Sequence, residues 1–401
     1  MKLLLAQNMY YLPSRGGANK SNRLIMERLA ERGHDCHVVA PLTGQADTVD
    51  PDELPGYLQS LGARLLERSA ASLTYVRAGV TVHGVLRGRD LSRTTAALLG
   101  ALRPDWALVS NDDPGMMLLS AALRGAPRVL YLVHTVPQLP FGPRSFFANA
   151  ASTAMIRRTT GVVSVSEATR DYVQRWSGIP SEVVYPDVYS GVPLREPDPA
   201  RQRYVTLINP CAYKGIDILL QLADALPGVP FLAVQGWGTS EADRAELHRR
   251  PNIRVEPGTD DVDEIYGRTR VLLMPSLWDE AFGYCSVEAM LRGVPVLAAD
   301  VCGLREAKLG VDHLLPVNPI ERYPADARTF LPRGEVPVQD VTAWRRALEA
   351  LLGDAELYRS LSARSRAAAR AFVDGLDRDA IEGCLRRLTR AAAPAAGGPP
   401  A

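Results

Sequence analysis

Short apolar runs alternating with amphipathic stretches occur twice along this chain, and that alternation leaves few folds open. LLLA, HVVAP, DWALVS, RVLYLVH, GVVSVS and EVVYP come first, with helical stretches such as KSNRLIMERLAER, SFFANAASTAMIRR and EATRDYVQRW between them. The series then restarts, with YVTLINP, FLAVQG, NIRVEPG, VLLMPS and PVLAA separated by GIDILLQLADAL, SEADRAELHRR, DDVDEIYGRT and SVEAMLR. Strands this apolar must be covered on both faces, and the intervening helices supply the cover, so each series predicts a doubly wound parallel sheet. Between the two lies SGVPLREPDPARQ, proline-bearing and without an apolar run, which reads as a linker over 190–202.

The α/β chain therefore divides into a first domain over 1–189, the linker, and a second domain over 203–375. A helix at 376–390 is expected to pack back on the first domain, and the AAAPAAGGPPA end, 391–401, is disordered by composition. Open α/β sheets bind ligands beyond the carboxyl ends of their strands, which puts the candidate site in the cleft between two facing domains.

Bulk composition narrows the partners. At 401 residues, 46% apolar and 23% charged, the chain is ordinary for a globular protein too long for one core. A net charge of +1 supplies no field to hold nucleic acid or an anionic membrane. Cys36, Cys211, Cys285, Cys302 and Cys384 form no C-x-x-C pair, so neither a zinc site nor a disulfide framework is indicated, and a reducing cytoplasm fits. No run approaches the roughly 18 apolar residues of a membrane helix, and MKLLLAQNMYYLP lacks the features of a signal peptide. The expected partners are a small donor and a small soluble acceptor in the cytoplasm, with a homodimer as the assembly to consider. Only Lys2, Lys20, Lys214 and Lys308 are lysines among 46 basic residues, a skew expected of a GC-rich genome. A lysine in a glycine-bearing loop then stands out as a site for a compact ammonium, and Lys20 and Lys214 both qualify.

In INPCAYKGIDILL a strand ends, Lys214 and Gly215 follow, and a helix begins, an arrangement that serves either an anion site or a plain strand-to-helix turn. Further on, DEAFGYCSVEAMLRGVPVL places Glu280 and Glu288 eight positions apart around Phe282, Gly283 and Tyr284. Ser286 is expected to cap the helix, with Glu288 on its first turn and Glu280 in the loop before it. Two carboxylates with backbone N–H donors between them suit a polyol; helix capping and a surface charge are the simpler alternatives. Gly236-Trp237-Gly238 lacks the third glycine of a nicotinamide fingerprint, Asp261-Val262-Asp263 opens a helix and reads as a cap, and Asn111-Asp112-Asp113 reads as a turn and cap.

The string PSLWDEAFGYCSVEAMLRGVPVLA resembles the E-x7-E signature of the retaining family 4 glycosyltransferases, and KGIDILL, VSVSEATR and the GG loop before LAERGHDCHVV stand in that family's order. The resemblance runs from Met1 to about Pro319, and 47–103 matches no pattern of the family. It implies the GT-B fold, two facing Rossmann-like domains, and transfer of a sugar with retention from a nucleoside diphosphate sugar of UDP or GDP type, with no cofactor and no metal at the diphosphate. It also implies roles. Glu288 takes the ribose, Glu280 with the amides of Phe282, Gly283 and Tyr284 takes the transferred sugar, and Lys214 neutralises the diphosphate beside Gly215 and Gly236. His134 lies against the donor sugar, Gly16 and Gly17 approach the phosphates or acceptor, and Lys20 lines the acceptor side. Two departures stand out. Asn209-Pro210 replaces the family's glycine-arginine pair, so Asn209 or a distant arginine must serve the diphosphate, and Tyr185-Pro186-Asp187 replaces its asparagine-glycine-valine turn. An actinobacterial step in antibiotic or other specialised metabolism is the expected setting, with an epimerase or hydrolase on the same fold, or a catalytically silent binder of nucleotide sugars, as the rival readings.

Overall fold

The computed structural model describes residues 1–391 apart from 15, 44–48, 51, 190–197, 199, 260 and 325–331. Most of the 190–202 linker and the tail beyond 391 thus lie outside the described residues.

The first domain carries strands β1 (Lys2–Ala6), β2 (Asp35–Pro41), β3 (Arg64–Arg68), β4 (Ser72–Arg77), β5 (Val80–Val85), β6 (Trp106–Ser110), β7 (Val129–Val133), β8 (Gly161–Ser164) and β9 (Glu182–Val183). Its helices are α1 (Gly17–Glu31), α2 (Leu54–Ser60), α3 (Leu91–Leu102), α4 (Met117–Gly125), α5 (Ala150–Arg157) and α6 (Glu167–Ser177). The strand order is β3-β4-β5-β2-β1-β6-β7-β8-β9. All five residues of WALVS and of VLYLV are buried, as continuous apolar runs in a sheet covered on both faces must be. The stretch 47–103 adds an antiparallel edge: β4 and β5 form a hairpin whose Ala78 and Gly79 both have positive φ, 45° and 79°. Two left-handed residues make the tight turn that matches strand twist, but Ala-Gly announces it poorly in sequence.

The second domain has strands β10 (Tyr204–Ile208), β11 (Phe231–Val234), β12 (Ile253–Glu256), β13 (Thr269–Met274), β14 (Val296–Ala299) and β15 (Leu314–Leu315), ordered β12-β11-β10-β13-β14-β15 and parallel throughout. Around it lie α7 (Ile216–Ala225), α8 (Glu241–His248), α9 (Val262–Tyr266), α10 (Tyr284–Leu291), α11 (Cys302–Ala307), α12 (Thr342–Gly353) and α13 (Ala355–Asp374). Order reverses at β1 in one sheet and at β10 in the other, so each has a switch point at the carboxyl end of its central strand.

The domains are packed together. First-domain residues Val136, Phe146 and Val165 belong to the second domain's core cluster, and Arg144 Nη1 reaches Asp279 Oδ1 at 2.7 Å. On the other side, α14 (Ala380–Ala391) returns to the first domain, burying Ile381, Cys384 and Leu385 among its core residues. Its register is held by polar contacts: Trp106 Nε1 donates to Thr389 Oγ1 at 3.1 Å, Arg28 reaches Asp379 at 2.8 Å, and Arg32 reaches Glu382 at 3.0 Å.

Glu382 gathers several of these partners. Hydrogen bonds from Arg386, and then, against the opposing effect of burial, from Arg32 and His34, hold its carboxyl at about 2, below its ordinary 4.5. A carboxylate with a lowered pKa adds stability above the unfolded value, and that stability is lost as pH falls through the folded one. Glu382→Gln should therefore cost on the order of 1 kcal/mol at pH 7 in urea unfolding. The deficit should close as pH falls from 4.5 toward about 2; a deficit equal at pH 7 and pH 3 would rule out this cluster as the anchor of the helix.

Candidate functional site

At the carboxyl end of β10 the backbone turns through Asn209, whose φ is 60°. Asparagine tolerates this left-handed conformation better than most residues, because its short amide finds a local partner. Here Asn209 Oδ1 accepts from Gly238 N at 2.8 Å, while Nδ2 is buried without a partner. A Cβ on Gly236 would lie 2.8 Å from the Asn209 side chain, so glycine is required there. A short 3-10 turn, Ala212–Lys214, then leads through Gly215 into α7. Gly215 has φ 73° and would place a Cβ 2.0 Å from the Pro275 carbonyl oxygen, so both conformation and contact exclude a side chain.

This turn delivers Lys214. Its ammonium pairs with Glu280 Oε1 and lies 4.9 Å from the centre of the Trp278 ring, a cation–π position. Glu280, 8% exposed, also accepts from Ser276 Oγ at 2.6 Å. Burial pushes the Glu280 carboxyl up, but the Lys214 charge and hydrogen bonds from Lys214, Ser276 and Trp278 outweigh it and keep the carboxyl below its ordinary range. Glu280 is thus an anion at neutral pH, with acceptor capacity beyond the hydrogen bonds of Lys214 and Ser276.

Beyond Glu280 the loop is gripped by the first domain. Ser166 Oγ and Thr169 Oγ1, the latter at 2.9 Å, both donate to the Ala281 carbonyl. The first amides of α6, Glu167 N and Ala168 N, each donate at 3.1 Å to one oxygen of Glu306 on α11. Phe282 is 2% exposed and packs on Tyr185 and Phe372. Gly283, at φ 110°, would aim a Cβ to within 2.5 Å of Leu304, so the missing side chain admits a core leucine rather than opening the loop outward.

Ser286 is not the cap of α10. The helix begins at Tyr284 with Gly283 as N-cap, and Ser286 N already donates back to Gly283 O at 2.9 Å. Glu288 therefore lies beyond the first turn, where the helix dipole has faded. Its charge is balanced otherwise. Oε1 is 2.6 Å from Lys20 Nζ on α1, across the cleft, and Oε2 accepts from Tyr266 at 3.1 Å. Lys20, expected on the acceptor side, is placed on this carboxylate because Gly17 lets α1 abut the loop: a Cβ there would lie 2.5 Å from the Tyr284 ring. Both ammonium groups act on the Cys285 thiol, which burial and Glu288 push up to about 12 while Lys214 and Lys20 pull the other way. Gly16, with φ 132°, is the uncapped start of α1.

The opposite wall is made by the carboxyl ends of β1, β6 and β7. His134, 9% exposed, follows β7; its backbone N–H donates to Asn111 Oδ1 at 2.8 Å and its Nε2 lies 2.8 Å from Asn22 Oδ1. Burial lowers its pKa to about 4, so it is neutral at physiological pH. Asp113 caps α4 by accepting from Leu118 N at 2.6 Å, as the turn reading expects, whereas Asp112 turns inward and accepts from Asn8 N at 3.0 Å. Burial raises the Asp112 carboxyl to about 7, opposed first by the Asn8 hydrogen bond. In the sequence Asp112 reads only as part of a turn, and Asn22, Ser166 and Thr169 have no assigned role. Only SEATR, a helix start within the VSVSEATR string, carried any signal. His134 Nδ1, Gln138 Oε1, Asn19 Oδ1 and Asn209 Nδ2 are buried without a hydrogen-bond partner among the described residues, and such groups call for an explanation, a bound ligand being one.

Asp261 caps α9 through Asp263 N at 3.0 Å, and Asp263 is paired with Arg292 at 2.5 Å. A surface depression of about 530 Å³ beside α5 and α6, lined by Phe141, Thr153, Arg157 and Trp176 among others, contains one cation and no carboxylate. Convergent chemistry is concentrated in the cleft.

Comparison with known proteins bears on the family and the fold. The model of Glycosyltransferase Family 4 matches residues 15–188, and that of Glycosyl transferases group 1 matches 205–308. The chain is 26% identical over 299 residues to a phosphatidyl-myo-inositol mannosyltransferase of Propionibacterium freudenreichii, covering 68% of this chain and 70% of the relative. It is 31% identical over 169 residues to a D-inositol 3-phosphate glycosyltransferase of Xylanimonas cellulosilytica, covering 40% of this chain but only 36% of the relative. Among solved structures, Anabaena HepE in complex with UDP and glucose superposes with a TM-score of 0.67 over 98% of this chain and 100% of its own, at 16% identity. The two family models, each on its own Rossmann-like half, together span most of the chain, which therefore belongs to the family 4 glycosyltransferases and has the GT-B fold.

Proposed function

We propose that the cleft transfers a sugar, with retention of anomeric configuration, from a nucleoside diphosphate sugar to an uncharged small acceptor. The observation that carries this reading is the pair of lysine–glutamate contacts, Lys214 at the entry to α7 with Glu280 and Lys20 on α1 with Glu288 on α10. A departing diphosphate needs positive charge fixed in advance, and two ammonium groups in a water-poor cleft supply it without requiring a metal. Pro210 stands where the family has its arginine, and Lys20, delivered from the first domain, provides the second cation. The glutamates then act as grips, Glu280 on the transferred sugar's hydroxyls and Glu288 on the ribose. The departing phosphate oxygen takes the acceptor's proton as the new bond forms on the face the leaving group vacates. The UDP held by the HepE neighbour makes uridine the first nucleotide to try, ahead of guanosine.

On the acceptor side, Asn8, Asp112 and neutral His134 offer hydrogen bonds and no positive charge. That fits hydroxyl groups better than a phosphate. The relatives are named for phosphate-bearing inositols, which favours a polyol as the acceptor but not its lack of charge, and a tailoring step in specialised metabolism is compatible with a polyol.

UDP at 100 times its dissociation constant should add about 2.7 kcal/mol to unfolding stability, visible as a rise in melting temperature. Lys214→Ala and Glu288→Ala should each lower turnover at least about tenfold, with Lys214→Ala nearer the hundredfold typical of lost charge stabilisation. Free sugar or an epimer released without acceptor would sink the transferase reading. With an acceptor panel, free inositol should be glycosylated faster than inositol phosphate, and the opposite ranking would refute an uncharged acceptor.

A further inference from the structure

A chain of side-chain hydrogen bonds runs from the end of β1 to the end of β7. Gln7 Nε2 donates to the Met9 carbonyl at 2.8 Å, Asn22 Nδ2 donates to Gln7 Oε1 at 3.0 Å, and Asn22 Oδ1 faces His134 Nε2 at 2.8 Å. Gln7 and Asn22 are 0% and 1% exposed, so water does not compete for either amide. The Met9 carbonyl can only accept, which forces the amide of Gln7 to present its NH₂ there and its oxygen to Asn22. Asn22 must then spend its NH₂ on Gln7 and turn its oxygen to the imidazole. An oxygen cannot donate, so the proton of the neutral ring sits on Nε2 and Nδ1 keeps its lone pair. Nδ1 is buried and has no hydrogen-bond partner among the described residues.

We infer that Asn22 is a positioning residue that fixes His134 as the Nε2–H tautomer, making Nδ1 a lone-pair acceptor for a hydroxyl of the bound sugar or acceptor. Reversing the tautomer would set a proton against such a hydroxyl's own proton and leave Asn22 Oδ1 facing a lone pair. Among the described residues, no charged group shifts the imidazole. Burial alone shifts His134; Asp112 and Asp113 act on Tyr131 instead, and the groups bonded to the imidazole residue are the amides of Asn22 and Asn111. The hydroxyl partner rests on the transferase reading, whereas the tautomer does not.

Long-range proton–nitrogen correlation of the full chain labelled at its six histidines tests the tautomer directly, with the His134→Gln spectrum assigning the ring. Between pH 6 and 8 Nε2 should appear protonated and Nδ1 bare; the reverse would overturn the inference while leaving the transferase reading untouched. Asn22→Asp places a carboxylate at Nε2, and an adjacent anion favours the imidazolium. In that variant both nitrogens should be protonated at pH 6, about two pH units above the wild-type ring, and the acid limb of kcat/KM should move up by about two pH units or more. Equal loss of activity at every pH, with His134 still neutral at pH 6, would reduce Asn22 to a packing residue. Failure of the wild type to turn over any nucleotide sugar would count against the transferase reading alone, since the spectra need no turnover.

Discussion

The carbonyl oxygen of Ala281 is the point on which the cleft is built. It lies one residue after Glu280, and two hydroxyls from the first turn of α6, on Ser166 and Thr169, hold it from the other domain. Each such bond is worth only about 0.5–1.5 kcal/mol net. Their consequence is geometric, because they fix the entry of a loop that presents Glu280 on one side and starts α10, with Glu288, on the other. The same turn of α6 takes both oxygens of Glu306 on its free amides, so the two domains meet through hydrogen bonds that a sliding contact would break together. Gly283 completes the arrangement by admitting Leu304 where any side chain would collide.

Charge in the cleft is organised by pairing rather than by excess. Glu280 and Glu288 are both nearly buried, and a buried carboxylate without a partner would take up a proton. Each instead has its own lysine, one from the start of α7 and one from α1. The four charges cancel within the chain, and a diphosphate with ribose and sugar hydroxyls could divide the same partners, its anion to the lysines and its hydroxyls to the carboxylates. His134, neutral because burial lowers its pKa, completes the opposite wall as a hydrogen-bonding group. The α14 helix returning to the first domain closes the chain over the far side and ties the second domain's last element to β6 through Trp106 and Thr389.

Much of this was legible in one dimension. The two runs of alternating strands and helices, the proline-bearing break between them, and the E-x7-E string at the end of β13 are local patterns, and local patterns survive in sequence. The scarcity of lysine marked Lys20 and Lys214 before any contact was known. What was misjudged is equally instructive. Ser286 resembles a cap, but the left-handed Gly283 caps the helix three residues earlier, so Glu288 needs a partner from the other domain. The stretch 47–103 carried no familiar pattern because its hairpin turns on Ala78-Gly79, a pair with weak turn preference.

Period and composition by themselves thus determined the two sheets, their cover and the loops at their carboxyl ends, since burial on both faces and turn chemistry are demands each segment meets within itself. Tertiary structure alone decided which distant groups meet: Lys20 with Glu288, α6 with the Ala281 carbonyl, Asn22 with His134, and Asp112 turned inward from what reads as a plain turn. Those pairings join residues more than a hundred positions apart. Their energy is set by desolvation and hydrogen-bond geometry in the closed cleft, and neither is encoded in the spacing of any one segment.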